Sequence, residues 1–113
     1  MIRAAVMLNQ DGELLRFSAS GHAGGGPPGF NIVCAAFTML ARTAFSALSG
    51  LPGASLEGQA ASPGELWFAV TQIPEDEKQK AAGMTIFLLE GLDALARDFP
   101  AEFCMTVERK WRK

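Results

Sequence analysis

The chain has 113 residues, 49% of them hydrophobic, which is enough apolar material for one core, so we expect a single domain over residues 1–113. The formal net charge is −2, so the chain lacks the basic field that draws proteins to nucleic acid or anionic lipid. We therefore expect no direct nucleic-acid binding, and we interpret the basic residues around Trp111 as a solvated tail.

The start of the chain shows no apolar run between a basic beginning and a small-residue cleavage site, so we predict no signal peptide. We expect no stretch of membrane-spanning length, no membrane partner, and a cytoplasmic location. Cys34 and Cys104 are then expected to be reduced thiols. Because one histidine and two cysteines without a C-x-x-C pair are a poor ligand set, we expect neither a metal nor another cofactor.

The beginning of the chain is predicted to form a β-hairpin followed by a loop. Met1–Asn9 alternates in hydrophobicity, Gln10-Asp11-Gly12 is typical of a turn, and Glu13–Ser20 is the second predicted strand. Gly21–Phe30 contains five glycines and two prolines, which predicts a flexible loop that brings backbone close to a ligand. The glycines that would give this loop its mobility are Gly24, Gly25, Gly26 and Gly29.

A first helix is predicted over Ile32–Ser49, because apolar residues recur there at helical spacing and Gly50 with Pro52 ends the pattern. Asn31, immediately before it, is a good N-cap residue type. This prediction places Cys34 in the first helical turn.

A second hairpin is predicted from Ala54–Ala61 and Leu66–Ile73, with Ser62-Pro63-Gly64-Glu65 between them. Pro74 and the three acidic residues after it are typical of a helix start. The apolar positions that follow predict a longer helix that runs to Phe99 and carries a broad apolar stripe for the sheet or for a second subunit.

The last predicted strand is Glu102–Lys110, in which alternation puts Cys104 on the face opposite Phe103. The complete order is β-β-α-β-β-α-β. It predicts an α+β fold in which two helices pack on a mostly antiparallel or mixed sheet.

His22 and Cys34 are the candidate catalytic residues. A thiol is a poor nucleophile until it ionises, and both a neighbouring imidazole and the positive end of a helix favour the thiolate. The glycines after His22 are suited to presenting N–H groups to an oxyanion. The simpler alternative is that Cys34 is a small core residue and His22 a loop residue without a partner. We interpret Cys104 as a packing residue of the last strand.

A histidine base works best when a third group fixes its tautomer and orientation. Asn31 and Thr38 are the candidates for this orienting or substrate-site role, and Thr38 lies one turn past Cys34 on the same helical face. Each has an alternative explanation. Asn31 is equally well explained as a helix cap, and Thr38 as a side chain bonded to its own helix.

The segments Gly21-His22-Ala23, Gly29 and Ile32-Val33-Cys34-Ala35-Ala36 resemble the signature of the ribosomal-processing cysteine protease (Prp) family. The length and the order of elements agree with that family over essentially the whole chain. The resemblance implies a homodimeric cysteine endopeptidase with Cys34 as nucleophile and His22 as general base. Its implied substrate is the N-terminal extension of a bacterial large-subunit ribosomal protein, with the Gly24 to Gly29 loop as a mobile cover over the bound peptide.

Two positions depart from the family pattern, which usually has Asp before Ile-Val-Cys and Ser four residues after the cysteine. This chain has Asn31 and Thr38 instead. Asn cannot stabilise an imidazolium by charge but can orient the ring by hydrogen bonding, and Thr keeps the hydroxyl.

Two other functions are compatible with the sequence. One is a non-catalytic module that binds a peptide or a ribosomal-protein segment, its tuning group lost at Asn31. The other is a thiol redox sensor in which Cys34 pairs with Cys104, which requires the sulfurs to reach disulfide range. Rapid alkylation of Cys34 would distinguish the peptidase from the binding module.

Overall fold

The structure is a computed structural model that describes residues 1–21, 31–59 and 65–110. The elements in chain order are β1 (Ile2–Leu8), β2 (Leu14–Ser20), α1 (Ile32–Ser49), β3 (Ser55–Gln59), β4 (Glu65–Gln72), a 3-10 turn (Glu75–Glu77), α2 (Lys78–Asp98) and β5 (Phe103–Arg109). The predicted order and the α+β class are confirmed. The second helix differs in its first turn, because the acidic residues after Pro74 form the 3-10 turn and α2 begins after them.

The five strands form one mixed sheet in the order β3-β4-β2-β1-β5. Its pairs are antiparallel except β1 with β5, which is parallel. A parallel pair needs a crossover, and α2 forms part of the long connection that leads into β5. As a result the start of β1, the end of β2 and the start of β5 lie at the same end of the sheet, which we call the Cys34 end because α1 begins there.

Both helices contribute to a core on one face of the sheet. In β1 the buried residues alternate with exposed or half-buried ones, as expected for a strand with one covered face. The buried residues of β1 are Ile2, Ala4, Val6 and Leu8. The helices cover them with Val33, Phe37, Ala41, Ala44 and Leu48 of α1 and Leu88, Leu92 and Leu95 of α2.

An aromatic cluster fixes the first turns of α1 over the sheet. The ring of Phe37, three residues after Cys34, lies 6.1 Å from Phe17 of β2 and 5.7 Å from Phe103 of β5, measured between centroids. Phe17 in turn lies 5.5 Å from Phe68 of β4. These contacts, typical of aromatic pairs in cores, tie the helical turn that carries Cys34 to three strands.

The other face of the sheet carries polar and mixed side chains. Arg16 of β2 lies 4.6 Å from the ring centre of Trp67 of β4, a cation–π contact on this face. Cys104 pairs with Arg3 in the parallel register, whereas Phe103 pairs with the buried Ile2. The predicted opposition of Cys104 and Phe103 is therefore confirmed.

Helix α1 corrects one expectation about hydropathy. Its 18 residues have a mean hydropathy of 1.5, so by length and composition it could cross a membrane, contrary to our expectation that no stretch could. The core helix of a globular protein meets the same criterion, because it too must be apolar. In this structure α1 packs its buried side chains, Phe37 among them, against the sheet.

Candidate active site

Asn31 caps the N-terminus of α1 through its side chain. Its backbone is extended, with φ −89° and ψ 120°, and its Oδ1 accepts a hydrogen bond of 3.0 Å from the backbone N–H of Cys34. This satisfies one of the N–H groups that the first turn of a helix leaves without an intrahelical partner. The predicted cap is confirmed, and Cys34 is the third residue of the helix.

Glu102 completes this arrangement from a distant part of the chain. The Nδ2 of Asn31 donates to Glu102 Oε1 at 3.1 Å, and both side chains belong to half-buried residues. The backbone of Glu102 is held on both sides, because its N–H donates to the carbonyl of Phe99 and its carbonyl accepts from the N–H of Ile2. We did not predict Glu102. Its contact with Asn31 depends on the parallel pairing of β1 and β5, and the order of elements along the chain does not reveal that pairing.

The two cysteines lie on opposite sides of the sheet. Cys34 is half-buried on α1 and packs against the core, while Cys104 is half-buried on the face away from the helices. No disulfide joins them, and both belong to the part of the chain that the structure describes. Because the sheet separates them, the arrangement disfavours a Cys34–Cys104 redox pair.

Gly21 fixes the chain immediately before His22. Its φ is +95°, and a Cβ built on it would lie 2.2 Å from the carbonyl oxygen of Met1. Only glycine fits this combination of positive φ and close backbone approach. His22 itself and Gly24, Gly25, Gly26 and Gly29 lie outside the described residues, so the predicted dyad and the loop over it stay predictions.

Thr38 is exposed on α1, one turn past Cys34. Asn31, the other candidate for the orienting or substrate-site role, uses its side chain for hydrogen bonds with Cys34 and Glu102. Within residues 1–21, 31–59 and 65–110 there is no group of three or more His, Cys, Asp or Glu side chains that could hold a metal ion.

A cavity of about 340 Å³ lies at the other end of α1, between the helices and the sheet. It is lined by Leu48, Val70, Ile73, Ala81 and Thr85, with Glu13 and Lys78 among its polar residues. Leu48 is fourteen residues after Cys34, about 21 Å along a helix. The cavity is therefore remote from the capped helical turn.

Comparison with known proteins decides the family. The family model described as Cysteine protease Prp matches residues 1–103. The chain belongs to the cysteine protease Prp family. A search of curated proteins found no match.

Solved structures share the fold of this Prp-family chain over nearly its whole length. A Streptococcus mutans protein, SMU.848, is 28% identical with a TM-score of 0.77, covering 97% of this chain and 96% of its own. The ribosomal processing protease Prp of Staphylococcus aureus, linked covalently to a product peptide, is 20% identical with a TM-score of 0.81 and coverages of 95% and 99%. The same protease with a substrate peptide is 18% identical with a TM-score of 0.76 and coverages of 95% and 99%.

Membership of the Prp family makes this chain a cysteine protease. Its two cysteines differ sharply in setting. Cys34 stands in the first turn of α1, where helical N–H groups point outward and anions are favoured. Cys104 stands within an edge strand and has no helix terminus on its own element.

Proposed function

We propose that this Prp-family protease cleaves peptide bonds with Cys34 as nucleophile and His22 as general base. The observation that carries the proposal is the Asn31 cap, which holds Cys34 in the first turn of α1. A thiolate at this end of a helix is favoured by the positive end of the helix dipole. Cys104 lies instead in strand β5, on the face of the sheet away from α1 and α2.

The reaction then follows the usual course of thiol acyl transfer. His22 takes the proton of the Cys34 thiol, and the sulfur attacks the peptide carbonyl to form a tetrahedral intermediate. His22 gives that proton to the departing amine, which leaves an acyl-enzyme. Water, deprotonated by His22, attacks the thioester to give a second tetrahedral intermediate. This intermediate expels the Cys34 thiolate, which takes the proton from His22, and the released carboxylic acid loses its remaining proton to solvent.

For the substrate we propose the N-terminal extension of a large-subunit ribosomal protein. The family match and the shared fold with a Staphylococcus aureus ribosomal processing protease bound to peptides support this choice. Such a substrate is made in the cytoplasm, and we propose that the protease acts there.

We also propose a homodimer, supported by apolar side chains on the outer sides of the helices. Phe87 and Ile86 of α2 are 74% and 62% exposed, and Met39 of α1 is 69% exposed. A second copy of the chain would remove this surface from water. Sedimentation analysis of wild type and Phe87→Glu tests this proposal, which predicts a dimer that the substitution weakens.

The test of the proposed activity is to incubate the purified protein with its organism's own ribosomal-protein precursor and to read the product by intact mass. Wild type and Cys104→Ala are expected to remove a defined N-terminal segment, while Cys34→Ala and His22→Ala leave the precursor intact. Cleavage by either of the last two variants at the wild-type rate would show that the dyad assignment is wrong.

The binding module is the second candidate, because Asn31 replaces the Asp usual in the family. Binding of the precursor by wild type and Cys34→Ala, with cleavage by neither, would favour it over the peptidase.

A further inference from the structure

The carboxylate of Glu102 lies beside the first turn of α1, and the reaction sequence above does not use it. We propose that Glu102 is a positioning residue that acts on Cys34 through Asn31. It fixes the Asn31 amide so that Oδ1 faces the Cys34 N–H and holds the turn that carries the thiol. This inference rests on the proposed role of Cys34 as nucleophile.

Hydrogen-bond polarity gives the Asn31 amide one orientation. A backbone N–H can only donate, so Cys34 requires the amide oxygen, which lies 3.0 Å away. An ionised carboxylate can only accept, so Glu102 requires the amide nitrogen, which lies 3.1 Å away. If the Glu102 carboxylate were removed, only the Cys34 N–H would orient the amide, and the cap would hold the turn less firmly.

Glu102 is suited to this role because its own backbone is fixed. Its carbonyl accepts a 2.9 Å hydrogen bond from Ile2 at the start of β1, and its N–H donates to Phe99 at 3.0 Å. The Glu102 side chain thus fixes the beginning of α1 relative to the β1–β5 pair. The link joins residues 71 positions apart in the chain.

The pair also explains why an amide fits at position 31. An aspartate there would face Glu102 at hydrogen-bond distance with no proton between the two carboxylates, which repel one another. The negative charge at this helix start is instead carried by Glu102, near the positive end of the helix dipole. Asn31→Asp should therefore be harmful alone and tolerated when Glu102 becomes Gln, whose NH₂ group can donate to the new carboxylate.

A matched control lies at the opposite end of β1. The Oδ1 of Asn9 accepts from the N–H groups of Asp11 and Glu13, both at 2.9 Å, and its Nδ2 donates to Glu13 Oε1 at 2.7 Å. As at Asn31, the amide oxygen accepts from backbone N–H and the amide nitrogen donates to a glutamate, but no cysteine is part of this arrangement. Asn9→Asp places two carboxylates together just as Asn31→Asp does, so it controls for a general loss of stability.

The experiment compares five variants with wild type: Glu102→Ala, Glu102→Gln, Asn31→Asp, Asn31→Asp with Glu102→Gln, and Asn9→Asp. Four quantities are measured: kcat and KM for precursor cleavage, the iodoacetamide rate of Cys34 across the pH range in which thiols titrate, and the melting temperature. All rates are taken well below the lowest melting temperature.

We expect Glu102→Ala and Asn31→Asp each to lower kcat and the alkylation rate about tenfold, the effect of one lost hydrogen bond at a positioned group. Glu102→Gln keeps the acceptor and should stay within about twofold of wild type, and the double variant should recover to about the same level. Asn9→Asp should lower the melting temperature and leave both rates unchanged.

Wild-type rates in Glu102→Ala, or a double variant no better than Asn31→Asp, would overturn the proposal. So would variants that lose melting temperature but keep the alkylation profile, because Glu102 would then be only structural. Absence of precursor cleavage by wild type would contradict the proposed function instead. The alkylation rates of the same variants would still support or overturn the positioning role.

Discussion

Two asparagine–glutamate pairs of the same construction lie at opposite ends of β1. Asn9 and Glu13 stabilise the β1–β2 turn, and Asn31 and Glu102 stabilise the first turn of α1. In both pairs the amide oxygen accepts from backbone N–H and the amide nitrogen donates to the carboxylate. The ends of β1 are about 20 Å apart, so the pairs act independently.

The pairs differ in what they hold. Asn9 and Glu13 join residues four positions apart, and Glu13 continues to an exposed ion pair with Lys78 beside the cavity. Asn31 and Glu102 join α1 to the start of β5 and hold the turn that carries Cys34. The cavity lined by Leu48 and Lys78 lies beside the Asn9–Glu13 pair, at the end of the sheet away from Cys34.

The largest expected effect on stability is at the aromatic contact beneath the Cys34 end. Phe37→Ala should lower the free energy of unfolding by about 3–5 kcal/mol, because it removes the buried ring between Phe17 and Phe103. Val107→Ala is the control, since Val107 is 47% exposed and should cost much less. Urea unfolding of both measures the difference. Similar losses would show that Phe37 does not anchor α1.

Gly21 should show a smaller effect that is also confined to the Cys34 end. Gly21→Ala combines positive φ with a 2.2 Å approach to the Met1 carbonyl and should cost about 1–3 kcal/mol and lower cleavage. Gly83→Ala in α2 meets open space and should instead stabilise by about 0.5–1 kcal/mol. Thermal unfolding checks both signs. A stable, active Gly21→Ala variant would refute the role of this residue.

Replacing either asparagine sharpens the comparison between the pairs. Asn31→Ala should cost about 1 kcal/mol of stability as a lost helix cap, and it should also slow cleavage. Asn9→Ala removes two backbone hydrogen bonds at the hairpin turn and should lower stability by a similar amount, with cleavage unchanged. Unfolding and cleavage assays on both variants separate the two ends. An equal loss of cleavage in Asn31→Ala and Asn9→Ala would show that the two asparagines do not differ in their effect on the active site.

The smallest expected effect belongs to Lys78. Its pKa is raised above the ordinary 10.5, chiefly by Glu13 and then by Glu75. A pKa raised on folding gives stability that is present below the unfolded-state value and lost as pH rises through the folded-state value. Lys78→Met should therefore be slightly less stable at neutral pH, and the difference should vanish in strong alkali and shrink in salt. A difference that grows with pH would have the wrong sign.

Elements with local signals were predictable from the sequence. The helix from Ile32 to Ser49 was predicted to the residue, since its cap and its Gly50 stop are local, and the hairpin turn before Glu13 was equally clear. Alternation likewise assigned Cys104 and Phe103 to opposite faces.

The missing part is long-range. Glu102 has no pattern around it that distinguishes it from a surface carboxylate, and its bond to Asn31 depends on the parallel pairing of β1 and β5. Such a contact follows from tertiary topology rather than from local periodicity. The sequence therefore located the cap and the cysteine but not the residue that orients the cap.

The most direct test of the central claim compares the two cysteines of one folded molecule. Wild type is treated with limiting iodoacetamide, and the labelling rates of Cys34 and Cys104 are read by peptide mass and compared with glutathione. The account predicts that Cys34 reacts much faster than glutathione at neutral pH, that Cys104 does not, and that denaturation removes the difference. A Cys34 that reacts no faster than glutathione would contradict the claim that the capped turn of α1 carries the nucleophile.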